Sequence, residues 1–173
     1  SVDSEKNIWV PSRMSPHSKN VESYEIKNFY DDSITKLNLD GKILYQKSVI
    51  EILTENKILP ENYAVTMALA NHLDPIHLND IEPALTDTKY WKKGDVFLSL
   101  RSQSMVVLYR PSTNEIIWKG TGPFLHQHDV DILDNSRISV FNNRSINIIG
   151  NGDVNIVDGY NEVNIFDFKT KEY

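Results

Sequence analysis

The chain has 173 residues, 40% apolar and 10% aromatic, which is enough for one ordinary core and too apolar for a disordered segment. Its formal net charge of -6, with no Lys/Arg block or basic helix, argues against a nucleic-acid partner. It has no cysteine, which removes disulfides, thiolate metal sites and a thiol nucleophile, and no apolar run near the roughly 18 residues that span a bilayer. The start, Ser1-Val2-Asp3-Ser4, carries no charged-then-apolar leader, although a leader or anchor could belong to a longer parent.

Residues 7–11 read as a short strand (Ile8, Trp9, Val10) halted by Pro11, and 12–20 as a polar loop in which His17 is solvent-exposed. A further strand is expected at 24–30. Residues 33–39 alternate apolar and polar up to Asp40-Gly41, a strong hairpin signal, so 42–46 returns antiparallel. The period then changes: Ser48 as N-cap, Glu51 three residues on, and Val49, Ile50, Ile52 and Leu53 before Asn56 predict a short helix. Residues 62–70 suggest a second short helix, followed by a loop in which His72 is structural or exposed.

A strand-like run at 76–85 carries His77, Asn79, Asp80 and Glu82, and Gly94-Asp95 opens a strand at 96–100 that Arg101 closes. Residues 105–109 and 115–118 form a hairpin across Pro111 to Asn114. Gly120, Gly122 and Pro123 end it, and the cluster His126, Gln127, His128, Asp129 leads into an alternating run at 130–133. Asp134 and Asn135 supply a turn, 137–141 returns, and β-type runs from Ser145 onward are separated by Gly150, Gly152 and Gly159. Trp9, Trp91 and Trp118 are simplest as packing residues.

These segments repeat. Residues 1–13, 80–101 and 129–144 each give a strand, a polar turn and a second strand with an arginine at its end. Residues 33–46, 105–119 and 163–173 each give the next strand, a turn and the start of a fourth. Four antiparallel strands per unit predict an all-β fold, a β-propeller, with about three blades at 1–47, 76–119 and 128–173 and a helical insertion at 48–70. The whole, 1–173, is then a single partial domain, a fragment of a ring of typically about 4 to 8 blades. Three units cannot close a ring, so self-association or blades supplied by another chain are expected. The competing arrangement is a self-contained three-sheet prism.

In a propeller, residues that precede the innermost strands converge on the axis, so the repeat makes the stretch 118–144 the floor of a candidate active site. Superposing Asp80-Ile81 on Asp129-Val130 sets His77 against His126 and Asn79 against His128. Each histidine alone has an ordinary reading as a strand-end cap. Arg13 and Arg144 share the repeat position of Arg101, which equally fits a blade-stabilising arginine. Asp80, Asp129 and Asp131 could pair with these arginines as buried ion pairs.

His77-Leu78-Asn79-Asp80 with GDVFLSLR, and then GPFLHQHDVDILDNSRISVFNNR, resemble the bacterial arylsulfate sulfotransferases and related arylsulfotransferase-like six-bladed propellers. The likeness spans most of the chain from Ser33 and is weak in the helical insertion and the glycine-rich tail. It implies His128 as the nucleophile that carries the sulfuryl group, and His77, Asn79 and Arg101 as contacts to the sulfuryl oxygens. His126, Asp80 and Asp129 fall behind them. It further implies a small aromatic sulfate ester as donor, a phenol acceptor, no cofactor or metal, and a periplasmic or extracytoplasmic location. The sequence departs from the family where Asp129 follows the key histidine, and a further axial histidine would lie upstream of Ser1.

The residue chemistry fits that implication. Sulfuryl transfer, like phosphoryl transfer, gathers charge on peripheral oxygens while an in-line nucleophile displaces a leaving oxygen. Guanidinium, imidazole and amide groups donate to such oxygens, and a neutral imidazole is a competent nucleophile. For His77, Asn79 and Arg101 a network that pins strand starts and neutralises Asp80 stays open beside ligand contact. The alternative function is a non-catalytic propeller that binds an anionic ligand or a protein partner, and a third reading is a chain inert in isolation.

Overall fold

The computed structural model describes residues 1–18, 29–58, 74–148, 154–157 and 159–173. The strand expected at 24–30 falls mostly outside these residues, and the second helix at 62–70 and His72 fall wholly outside them. Strands β1 (Ile8–Arg13), β2 (Asp32–Leu37) and β3 (Ile43–Ser48) form one antiparallel sheet in that order. Pro11 does not halt β1, and the reason lies in which way the amides point. Trp9 N–H donates to the Ser1 carbonyl at 2.8 Å, away from β2. Pro11, two residues on, shares that orientation, so its missing N–H removes nothing from the β1–β2 ladder.

Residues 12 and 13 therefore belong to the strand, not to a polar loop, and the Ser12 hydroxyl sits 2.8 Å from that of Ser33. His17 is likewise not a free loop residue. Its ring stacks on Phe29 at 4.9 Å, and its Nε2 lies 2.9 Å from the Phe29 carbonyl.

The Asp40-Gly41 turn joins β2 to β3 as expected: Gly41 takes φ 79°, and its amide donates to Asn38 at 3.0 Å. Ser48 then caps α1 (Val49–Glu55), accepting the Glu51 amide at 3.2 Å, and Val49, Ile50, Ile52 and Leu53 turn inward. Asn56 ends the helix and docks it on the second sheet, donating to the Asn114 carbonyl at 3.1 Å and accepting the Ile116 amide at 2.9 Å.

That second sheet holds β4 (Leu78–Pro83), β5 (Val96–Leu100), β6 (Met105–Arg110) and β7 (Glu115–Gly120) in chain order, all antiparallel. Both of its faces are covered, which is why β5 and β6 read as continuous apolar runs. Val96, Leu98, Leu100, Met105 and Val107 pack with Trp9, Ile34 and the helix. Phe97, Val106 and Leu108 point the other way, to Val130, Ile138, Val140 and Phe166.

Those last residues belong to a third sheet. It begins with β8 (His128–Ile132) and β9 (Arg137–Asn142). A separate hairpin of β10 (Ser145–Ile148) and β11 (Val154–Val157) follows, and β12 (Glu162–Asp167) then returns to pair with β9. The fold is all-β: three antiparallel sheets in a row, β4 against both β1 and β8, with one helix among the described residues. Trp9 and Trp91 are buried, and Trp118 stacks on Phe166 at 5.0 Å, as packing residues should.

Two details of the repeat need correction. The ladder between β4 and β5 skips Asn79, and that between β8 and β9 skips Asp129. Each is the extra residue of a bulge, so Asn79 shares its place with Asp129 and not with His128. The expected ion pairs also differ. Arg13 lies 3.7 Å from Asp32 and over the Tyr30 ring, and Arg144 lies 3.2 Å from Glu162, while Asp80 accepts a backbone amide.

Candidate functional site

Bulged strand starts re-aim side chains, and here two of them meet at one edge of the sheet stack. His77 stands just before β4 with φ 52°, a left-handed conformation, and its carbonyl accepts the Arg101 amide at 3.1 Å. His128 opens β8. Their ring centroids lie 6.2 Å apart at 67°. Arg101 begins a single 3-10 turn, Arg101–Gln103, that follows β5, so the guanidinium arrives from the end of the strand paired to β4.

The segment between the sheets is fixed by polar contacts. His126, at φ 50°, donates its amide to Ser104 Oγ at 3.2 Å, and its carbonyl accepts Asn143 Nδ2 at 2.6 Å. Gln127 is fully buried, its Nε2 donating to Met105 O at 2.9 Å and Ser99 Oγ at 3.2 Å. Asn79 Nδ2 donates to the Gln127 carbonyl at 3.0 Å, which ties β4 to the approach of β8. Asp80 Oδ2 does the same one residue later, accepting the Val130 amide at 3.0 Å. Asp129 is exposed, with φ 56°.

Electrostatics disfavour charge on His126 and His128. Burial, with the charges of Arg101, His77 and His128, pushes His126 down to about 4. The same burial, with Arg101 and His77, lowers His128 below the ordinary histidine range, Asp129 opposing. Burial also lowers Arg101, against the pull of Asp74. Three buried atoms here have no hydrogen-bond partner, His126 Nδ1, Asn79 Oδ1 and Gln127 Oε1.

The structure thus gathers His77, His126, His128 and Arg101, and uses the Asn79 amide and the Asp80 carboxylate to fasten β4 to β8. Sequence reasoning missed an acidic cleft beside His77. It has a volume of about 210 Å³ and is lined by Arg13, Asp32, Asp74 and His77 with Ser12 and Leu78. Asp74 Oδ2 lies 2.5 Å from His77 Nδ1. Burial would raise the Asp74 pKa, but the hydrogen bond and charge of His77 outweigh it and hold the carboxyl below its usual range. Asp32 accepts the Leu78 amide at 2.8 Å, yet burial lifts its pKa to about 6, with Asp74 adding to the rise. A local signal for Asp74 existed, since Asp-Pro-Ile-His brings positions i and i+3 together in a turn. None existed for Asp32, which meets Arg13 through sheet pairing.

A stack of antiparallel sheets with three imidazoles and a guanidinium at one edge defines a class of all-β protein suited to holding an oxyanion. The family model described as Arylsulfotransferase (ASST) matches residues 1–172, and the chain belongs to that family. No curated protein and no solved structure matches it.

Proposed function

We propose that this chain transfers a sulfuryl group from an aryl sulfate ester to a phenol acceptor through a covalent intermediate on His128. The three sheets are successive blades of a propeller, and the site lies at the end where their inner strands begin. The observation that carries the reading is the meeting of His77 and His128, 6.2 Å between ring centroids, in a family of arylsulfotransferases.

Burial and the neighbouring positive charges keep His128 neutral, so a ring nitrogen has a lone pair to attack sulfur. In the first half-reaction the His128 N–S bond forms as the S–O bond to the leaving phenol breaks. In the second, the acceptor phenol oxygen takes the sulfuryl group and restores the imidazole. Arg101 and His126 stand where charge on the sulfuryl oxygens develops, in a half-buried site where such contacts are worth more than in water.

The test is release of nitrophenol from a nitrophenyl sulfate. It should require a phenol acceptor, show ping-pong kinetics, and leave a sulfuryl adduct on His128 that mass spectrometry detects without acceptor. Thermal stabilisation by aryl sulfates with no turnover and no adduct would indicate a binding protein instead.

A further inference from the structure

Asp74 and His77 form a hydrogen-bonded pair whose ring faces the sulfuryl carrier, and the chain holds that pair with unusual care. The Asp74 carbonyl accepts Ser102 Oγ at 3.0 Å, and the Pro75 carbonyl accepts Gln103 Nε2 at 2.6 Å. The Ile76 and His77 carbonyls accept the amides of Ser102 and Arg101, each at 3.1 Å. The turn that presents Arg101 therefore also clamps every residue from Asp74 to His77. An acceptor-only carboxylate at Nδ1 requires Nδ1 to carry the proton, which leaves Nε2 as the working nitrogen of His77. The cleft bounded by Asp32 and Asp74 opens on this pair. Its two carboxylates outnumber the one guanidinium that lines it, Arg13, which favours a neutral, hydrogen-bond-donating phenol over a sulfate anion.

We infer that His77, oriented by Asp74, is the proton carrier for the phenol oxygen in both half-reactions, and that the cleft beside it receives the aromatic hydroxyl. This rests on His128 as sulfuryl carrier and adds a role and a positioning residue, Asp74. In the first half-reaction the protonated His77 ring gives its Nε2 proton to the aryl oxygen as the S–O bond breaks and the His128 N–S bond forms. The leaving group departs as a neutral phenol. In the second, Nε2 of the now neutral His77 takes the proton of the acceptor hydroxyl as its oxygen bonds to sulfur and the N–S bond breaks. Each proton and sulfuryl group is returned over the cycle.

Two measurements test this on the whole chain. Nitrogen-15 NMR of the wild-type protein, titrated until His77 is deprotonated, should find the remaining ring proton on Nδ1, and a proton on Nε2 instead would overturn the pair. Asp74→Asn keeps the shape and removes the charge. With phenyl sulfate, whose leaving oxygen needs a proton, kcat/KM for the donor, which in ping-pong kinetics reports the first half-reaction alone, should fall by on the order of 10²-fold. With a dinitrophenyl sulfate, whose leaving group needs none, it should fall less than about threefold. Equal losses on both esters would mean that Asp74 only props the loop, and would overturn the inference while leaving transfer by His128 intact. Absence of turnover of any ester by the wild-type chain would overturn the transfer reading and this role with it.

Discussion

His77 and His128 come from the starts of strands in different sheets, yet their rings meet edge to face at 6.2 Å, with Arg101 charging the space around them. That charge has a kinetic signature. In the proposed transfer His128 must be neutral to attack, and burial, Arg101 and His77 all lower its pKa, so the acid limb of kcat/KM should fall below the ordinary histidine value of 6.5. Arg101→Gln removes a positive charge and moves that limb to higher pH. If the proposed role of Arg101 holds, the change also removes a donor to the developing oxyanion and should lower kcat/KM at neutral pH by on the order of 10²-fold. A pH–rate profile of the variant against the wild type reads both effects.

His126 gives a separate acid response. Its pKa is about 4 in the folded chain against an ordinary 6.5, so between those values the unfolded chain binds more protons. The stability it contributes is complete above about pH 6.5 and is lost as pH falls towards about 4. His126→Gln cannot titrate, so thermal denaturation of the variant should be less acid-sensitive than that of the wild type across this window.

What could be read from the sequence was local. Asp40-Gly41 specified its hairpin, Ser48 its helix, and the VFLSL and MVVLY runs two strands, because each signal lies within a few residues. The site needed more. Positive φ at His77, His126 and Asp129, and the bulges at Asn79 and Asp129, depend on how neighbouring strands are registered, which no local pattern encodes. Pro11 misled for the same reason: whether a proline ends a strand depends on which side its missing amide faces. Arg13 was visible as a repeated strand-end arginine, but its partner Asp32 was not, since the two meet only through the β1–β2 pairing.

Ser48 does two jobs with one hydroxyl. It accepts the Glu51 amide as N-cap and donates to Asp31 Oδ1 at 2.5 Å, where Asp31 is fully buried and also accepts the Ser18 amide at 2.9 Å. Ser48→Ala therefore uncaps the helix and strips a buried carboxylate of a donor, for a loss of about 2 kcal/mol in denaturant unfolding. Ser48→Thr restores the hydroxyl and should recover most of it. An alanine variant as stable as the wild type would show that neither bond matters to the fold.

Asp32 runs opposite to His126 in the same pH range. Burial raises its pKa from an ordinary 3.8 to about 6 despite the Leu78 amide, Arg13 and His77, because the carboxylate is out of water and close to Asp74. Between those values the folded chain holds the proton that the unfolded chain has lost. Its contribution to stability is therefore full below about pH 3.8 and disappears as pH rises through about 6. The displacement caps the effect at about 3 kcal/mol, and partial contact with solvent reduces the expectation to on the order of 1 kcal/mol. Asp32→Asn keeps an oxygen for the Leu78 amide and removes the titration. Its melting temperature relative to the wild type should climb from about pH 4 to about pH 7. A constant difference across that range would mean that Asp32 is already ionised at the lower pH and that the cleft beside His77 is wetter than its burial implies.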